Sequence, residues 1–268
     1  MHVLLTNDDG FDAEGLQELR RELIALGARV TVLAPDGNRS GIGRSITLYR
    51  PVTVERAGGD DENPVLACDG SPVDCVRIGL LSELAAPVDL VVAGINHGSN
   101  LGDDGTYSGT LGAALEGALL GRPAAGFSQE VIGGGHRLDG VRLRAEFPFA
   151  GLAARIALGL AERPLPDGHA LSVNFPIRSD AVRLQLTRPA VRRFPRGFLE
   201  PIDGEGSAFH PYGRPTDIVS PYEEDPATDV TAVDAGHVAV SVVPAHWGLQ
   251  PVAVDGDWFE ALAGRVSP

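Results

Sequence analysis

The chain has 268 residues, 43% of them hydrophobic, and a formal net charge of −14. That acidity argues against a binder of duplex nucleic acid, which needs a basic face, while the length suffices to bury a sizeable core in one large domain or two small ones. All 22 basic residues are arginine, so chemistry through a Schiff-base lysine or a P-loop lysine is excluded.

The elements alternate in type through the first half. Val3–Thr6 is a short apolar strand, and Glu14–Leu26 places Leu16, Leu19, Leu23 and Leu26 at helical spacing before a Gly27 stop. Arg29–Ala34 is the next strand. Ser45–Leu48, Val52–Glu55 and Val65–Ala67 are expected strands of a β-rich stretch. Ser71 and Pro72 read as the N-cap and first position of a helix to about Leu84. Asp89–Ala93 is a third apolar strand, followed by a glycine-rich loop, a helix over about Ser108–Leu120 and a strand at Ala124–Phe127. This rhythm predicts an α/β fold, Rossmann-like, with a mostly parallel sheet covered by helices on both faces.

The second half is less regular. A long helix is expected over Val141–Ala161, strands over Ala170–Val173 and Val182–Leu186, a short helix at Thr228–Asp234 and a strand at His237–Val243. Between about Arg188 and Asp229 the chain is rich in Pro, Gly and Arg with little periodicity, which suits a functional segment or one docked on another subunit. Cys68 and Cys75 match no zinc or redox spacing and are expected as reduced, buried thiols. The N-terminus enters a strand directly, without a signal-peptide pattern, and no apolar run approaches the roughly 20 residues that span a bilayer. A soluble cytoplasmic protein, without membrane partners, is the expectation.

Three loops at strand ends carry the chemistry. The first strand stops at Asn7-Asp8-Asp9-Gly10. Adjacent carboxylates repel each other beside a dry sheet, and the next helix begins too late for N-capping to explain both. A bound cation resolves the conflict, and oxygen donors suit Mg²⁺ or Mn²⁺ rather than zinc. The second loop, Pro35–Ser45, holds Asn38, Arg39 and Ser40. The third, Gly94–Gly109, contains Asn96, His97 and Gly98 and runs into Ser108-Gly109-Thr110 at a helix start, where free N–H groups and hydroxyls suit a phosphate. Open parallel sheets bind ligands beyond the carboxyl ends of their strands, so the three loops converge on one crevice. The combination predicts metal-assisted hydrolysis of a phosphate ester by an activated water. A phospho-aspartate route would want Asp-x-Asp, whereas the pair here is adjacent.

These motifs resemble the SurE (survival protein E) family of 5′/3′-nucleotidases over nearly the whole length. The resemblance rests on Thr6–Gly10, Ala34-Pro35 with Ser40-Gly41, Gly70–Val76, Gly94–Gly102 with Tyr107–Thr110, Val173–Pro176, and Thr228-Asp229 with Gly236. It implies a divalent-metal-dependent phosphatase acting on nucleoside monophosphates, with one Mg²⁺ or Mn²⁺ per subunit held by Asp8, Asp9, Ser40 and Asn96. Asn96 then counts with Asp8 and Asp9 as catalytic, and Asn96, Gly98, Ser108, Gly109 and Thr110 as the phosphate site. It also implies a homodimer or homotetramer that exchanges an extended C-terminal part, about 188–268, next to an α/β core of about 1–187. The sequence departs from the family pattern at Ser71, where threonine is usual, at Phe209–Gly213, which lacks the usual tryptophan, and at Val243-Pro244-Ala245, where Thr-Pro-Leu is usual. His97 and His246 are the candidates for general acid. Two alternatives stand beside this reading: a broad acid phosphatase or exopolyphosphatase, and a nucleotide-binding regulator without turnover.

Overall fold

A computed structural model describes residues 1–85, 87–131, 147–177, 183–191, 225–249, 254 and 256–264. The strands are β1 (His2–Thr6), β2 (Arg29–Pro35), β3 (Val54–Gly59), β4 (Pro64–Cys68), β5 (Leu90–His97), β6 (Ala124–Gln129), β7 (His169–Phe175), β8 (Leu184–Thr187) and β9 (Val238–Pro244). The helices are α1 (Glu14–Ala25), α2 (Pro72–Leu81), α3 (Gly109–Leu119), α4 (Ala150–Glu162), α5 (Asp229–Asp234) and α6 (Gly256–Gly264), with a 3-10 helix at Gly102–Tyr107. The described strands form one sheet in the order β3-β4-β2-β1-β5-β6-β7-β9-β8. From β4 through β7 all neighbours pair in parallel, whereas β3 and β9 run antiparallel to β4 and β7. The α/β expectation holds, with antiparallel pairings toward both edges.

Alternation along each inner strand sorts the core onto two faces. Val3 and Leu5 of β1, with Leu90 and Val92 of β5, meet Leu16, Leu19 and Leu23 of α1 and Ala153, Ile156 and Leu160 of α4. Leu4, Val91 and Ala93 point the other way, toward Cys75 and Val76 of α2 and Ala113, Ala114 and Ala118 of α3. The two thiols, Cys68 and Cys75, are free and buried, as expected. Phe175 stacks between Phe127 and Phe149, with ring centroids at 6.2 and 5.2 Å. No described helix is long and apolar enough to cross a membrane.

Some boundaries differ from those expected of the sequence, for physical reasons. Ser45–Leu48 is not a strand. Its polar groups go to the start of α2 instead: Ser71 Oγ donates to the Ser45 carbonyl at 2.7 Å and the Thr47 N–H to Asp74 Oδ1 at 3.0 Å. Ile46 and Leu48 stay exposed. Helix α2 stops at Leu81 rather than near Leu84 because the backbone of Ser82 is already extended, while its hydroxyl binds the Ile78 carbonyl at 2.6 Å. Helix α4 begins at Ala150, behind Phe149 as N-cap; the residues from Val141 to 146 of the expected helix lie outside the described ones. So do Val182 and most of the irregular segment, including Phe209–Gly213. Helix α6 had no counterpart among the expected elements; the indole of Trp258 donates to the Arg163 carbonyl at 3.1 Å and ties it to α4. Strands β8 and β9 extend the main sheet, so the described part of the C-terminal region packs with the core.

Candidate active site

Strand β1 lies between β2 and β5, the point where consecutive connections leave in opposite directions along the sheet. Such a switch opens a crevice at the carboxyl ends of the strands. Asp8 and Asp9 sit at its floor, just beyond β1. The turn that carries them is fixed by Asn7, whose side chain both donates to the Gly10 carbonyl, at 3.0 Å, and accepts from the Gly10 N–H, at 3.1 Å.

Asp8 is buried against the start of α3. Its Oδ2 accepts the Gly109 N–H at 3.0 Å and its Oδ1 the Thr110 hydroxyl. A helix N-terminus favours a negative charge there. Burial nevertheless dominates and pushes the Asp8 carboxyl above the usual range. The approach is close enough to require glycine at 109, since a Cβ there would lie 2.7 Å from the Asp8 Cβ. Asp9 is half-buried and accepts the His97 N–H at 3.1 Å. Burial, then the charge of Asp8, raises it to about 7. Among the described residues no ion pair reaches either carboxylate.

The neighbouring loops bring oxygen donors. Asn96, buried at the end of β5, donates Nδ2 to the Gly98 carbonyl at 2.8 Å, which fixes the amide and leaves Oδ1 as an acceptor. The loop after β2 is tied to the crevice where the Arg39 N–H binds the Asp8 carbonyl at 2.6 Å, and to the 3-10 helix where the Gly43 N–H binds the Tyr107 carbonyl at 2.8 Å. Ser40 lies between these anchors, exposed, and its hydroxyl donates to Asn38 Oδ1 at 2.6 Å, so its lone pairs are unspent by that bond. Among the described residues no three His, Cys, Asp or Glu side chains converge as a metal-binding group. Two adjacent carboxylates without a counter-charge, one buried and one half-buried, have the chemistry that fits a hard cation.

The chain matches the family model described as survival protein SurE over residues 3–196. It belongs to the SurE family. It is 39% identical over 257 residues to a 5′-nucleotidase SurE of Rubrobacter xylanophilus, covering 94% of each chain. It is also 39% identical to 5′-nucleotidase SurE 1 of Thermus thermophilus, over 99% of this chain and 98% of that one. Among solved structures, the SurE protein from Aquifex aeolicus superposes with a TM-score of 0.70 at 31% identity, over 92% of this chain and 94% of that one.

On this SurE scaffold the expected residues are not all placed alike. Asp8 meets Gly109 and Thr110 directly, Asp9 meets the His97 N–H, and Asn96 is the residue before His97 with its side chain bonded to Gly98. Ser108 Oγ accepts the Leu111 N–H at 3.0 Å and so caps α3, while the Gly98 N–H goes to the Gln129 carbonyl at 2.9 Å. His97 holds Asp9 by its backbone, and its ring meets Phe147 edge-on at 6.2 Å. His246 is elsewhere: it packs on Gly168, at the opposite end of β7 from the crevice, so within one chain it is no general acid for this site.

A polar brace beneath the glycine loop was not anticipated from the sequence. Asn174 Oδ1 accepts the Asn100 N–H at 2.8 Å and its Nδ2 donates to the Asn100 carbonyl at 3.2 Å. The Asn100 amide donates to Ser128 Oγ at 2.7 Å, and Asp229 Oδ2 accepts the Gly102 N–H at 2.8 Å. The available signal was a polar residue inside an apolar strand, Asn174 in His169–Phe175.

Proposed function

We propose that the protein is a divalent-metal-dependent nucleotidase that hydrolyses nucleoside monophosphates to nucleoside and phosphate. The observation that carries this reading is the pair Asp8 and Asp9, adjacent at the β1 switch point, with Asp8 buried and held by the start of α3 and Asp9 half-buried beside it. Their carboxylates, with Ser40 Oγ and Asn96 Oδ1, would hold one Mg²⁺ or Mn²⁺. A cation there supplies Lewis acidity toward a phosphoryl oxygen and lowers the pKa of water. The Rubrobacter and Thermus relatives, both named 5′-nucleotidases, support the substrate class. No observation favours a broad phosphatase or a regulator without turnover.

In this reading Asp8 and Asp9 bind and orient and are not the nucleophile. Asp8 is kept in place by Gly109 and Thr110, Asp9 by the His97 N–H, and Asn96 by the Gly98 carbonyl. The phosphate would lie over Asn96, Gly98 and the start of α3, whose N-terminal end offsets its charge; the Gly98 N–H is taken by Gln129 and the Gly109 N–H and Thr110 hydroxyl by Asp8, which leaves the Ser108 hydroxyl to donate. The domain organisation would be a core of about 1–187 and a C-terminal part exchanged within a cytoplasmic homodimer or homotetramer.

The direct test is phosphate release from adenosine 5′-monophosphate with Mn²⁺ or Mg²⁺, before and after chelation. Activity should vanish with EDTA and return on adding the metal; full turnover in the chelated protein would sink the metal mechanism.

Metal binding should also depend on pH. The folded value of Asp9 lies above its unfolded one, so the metal-free protein takes up a proton on folding and loses stability as pH rises toward about 7. A cation must displace that proton. Affinity for Mn²⁺ should therefore rise at least about tenfold per pH unit up to about 7 and then level off, read by calorimetry. A flat profile across that range would remove Asp9 from the ligand set.

A further inference from the structure

The geometry points to Asp229 as a positioning residue of this site: its buried carboxylate clips the glycine-rich loop at Gly102 and thereby sets the path into the start of α3. The inference rests on the proposed nucleotidase activity.

Asp229 opens α5 and is 2% exposed. Its three backbone partners come from three places. Oδ2 accepts the Gly102 N–H at 2.8 Å, and Oδ1 accepts from Ala190 and from Val230, both at 2.9 Å. An acid placed at a helix start only for its own dipole needs no partner beyond its first turn. Here only Val230 belongs to α5. Among the described residues no cation pairs with the carboxylate, so those N–H bonds offset only part of the cost of its burial. Bonds to an ionised acceptor are about twice as strong as neutral ones.

The consequence falls on the loop. The Gln129 carbonyl holds the Gly98 N–H, Asn174 holds the backbone of Asn100, and Asp229 holds Gly102. Leu101 adds an apolar contact with Ala232, Val233 and Ala239. Gly102 begins the 3-10 helix, whose far end delivers Ser108 and Gly109 to Asp8. Removing the third clip loosens the loop's hold on the C-terminal segment without touching the substrate.

The test compares Asp229→Asn with Val233→Ala, which thins the same apolar contact and keeps the carboxylate. Three quantities are measured: hydrogen exchange across residues 98–108, melting temperature, and kcat and KM for adenosine 5′-monophosphate with saturating Mn²⁺. Asp229→Asn should speed exchange in that loop and raise KM about tenfold with kcat within about twofold, as loss of a supporting bond does. Val233→Ala should lower the melting temperature and leave KM unchanged. If Asp229→Asn does not fold, Asp229→Glu keeps the charge, displaces the acceptor, and should show the same KM rise. Unchanged loop exchange and KM in the folded variants, with only the melting temperature lowered, overturns the inference. A wild-type protein that releases no phosphate would sink the nucleotidase reading instead, while the exchange rates would still decide whether Asp229 clips the loop.

Discussion

Replacing Asp9 with asparagine should lower turnover by at least about 100-fold and at the same time make the metal-free protein more stable. The activity loss stems from the donor set. Losing an outer-shell support costs about 10- to 100-fold in metal affinity or activity, and a ligand position should cost no less. The stability gain is electrostatic. Asp9 is raised to about 7 by burial and by Asp8, so above that pH two crowded like charges oppose folding. The amide removes one of them while keeping an oxygen to accept the His97 N–H. The melting temperature of the chelated variant should therefore exceed that of the chelated wild type at pH 8 by a few degrees. A carboxylate kept only for structure would move activity and stability down together. Wild-type turnover in Asp9→Asn, or a lower melting temperature without metal, would end the proposed role.

The same opposition explains which parts of the site were legible in the sequence. Adjacent acids at the end of an apolar strand violate what a fold alone would choose, and that conflict survives without any structure. Asn96 and Ser40 create no such conflict. Either could serve as an ordinary turn residue, so only the family resemblance raised them as ligands. Asn100, Asn174 and Asp229 were noticed only as parts of family motifs, without a role, and Ser128 not at all, because their chemistry is relational. Each accepts or donates to a group brought near by folding, with separations such as 127 residues between Gly102 and Asp229.

The fold shows the same division. Parallel strands and their helices were legible because apolar runs, caps and glycine stops are local. Ser71 caps α2 as expected of Ser71-Pro72, and Asp74 returns the bond. Ser45–Leu48 failed because a short candidate run does not say where its backbone hydrogen bonds go. There they go to the α2 cap, and the apolar residues face outward.

Gly109→Ala carries the second large effect. A Cβ at 109 would lie 2.7 Å from the Asp8 Cβ and 2.8 Å from its Oδ2. Neither neighbour yields cheaply. Asp8 is fully packed, and its backbone carbonyl already holds the Arg39 N–H at 2.6 Å. The start of α3 is fixed by the Ser108 cap and the Thr110 hydroxyl. Intrinsic helix propensity favours alanine over glycine by about 1 kcal/mol, so the backbone itself gains from the change. The penalty falls on the Asp8–helix contact. A shift of about 1 Å in a positioning contact costs on the order of 100-fold in rate. Turnover of Gly109→Ala with adenosine 5′-monophosphate and Mn²⁺ should fall by that order, and Mn²⁺ should bind more weakly by calorimetry, because Asp8 is pushed off its two donors. Serine at 109 should not rescue it, since it carries the same Cβ and the clash is with that atom. A Gly109→Ala protein with unchanged metal affinity and turnover would show that the close packing of α3 on Asp8 is incidental to the chemistry.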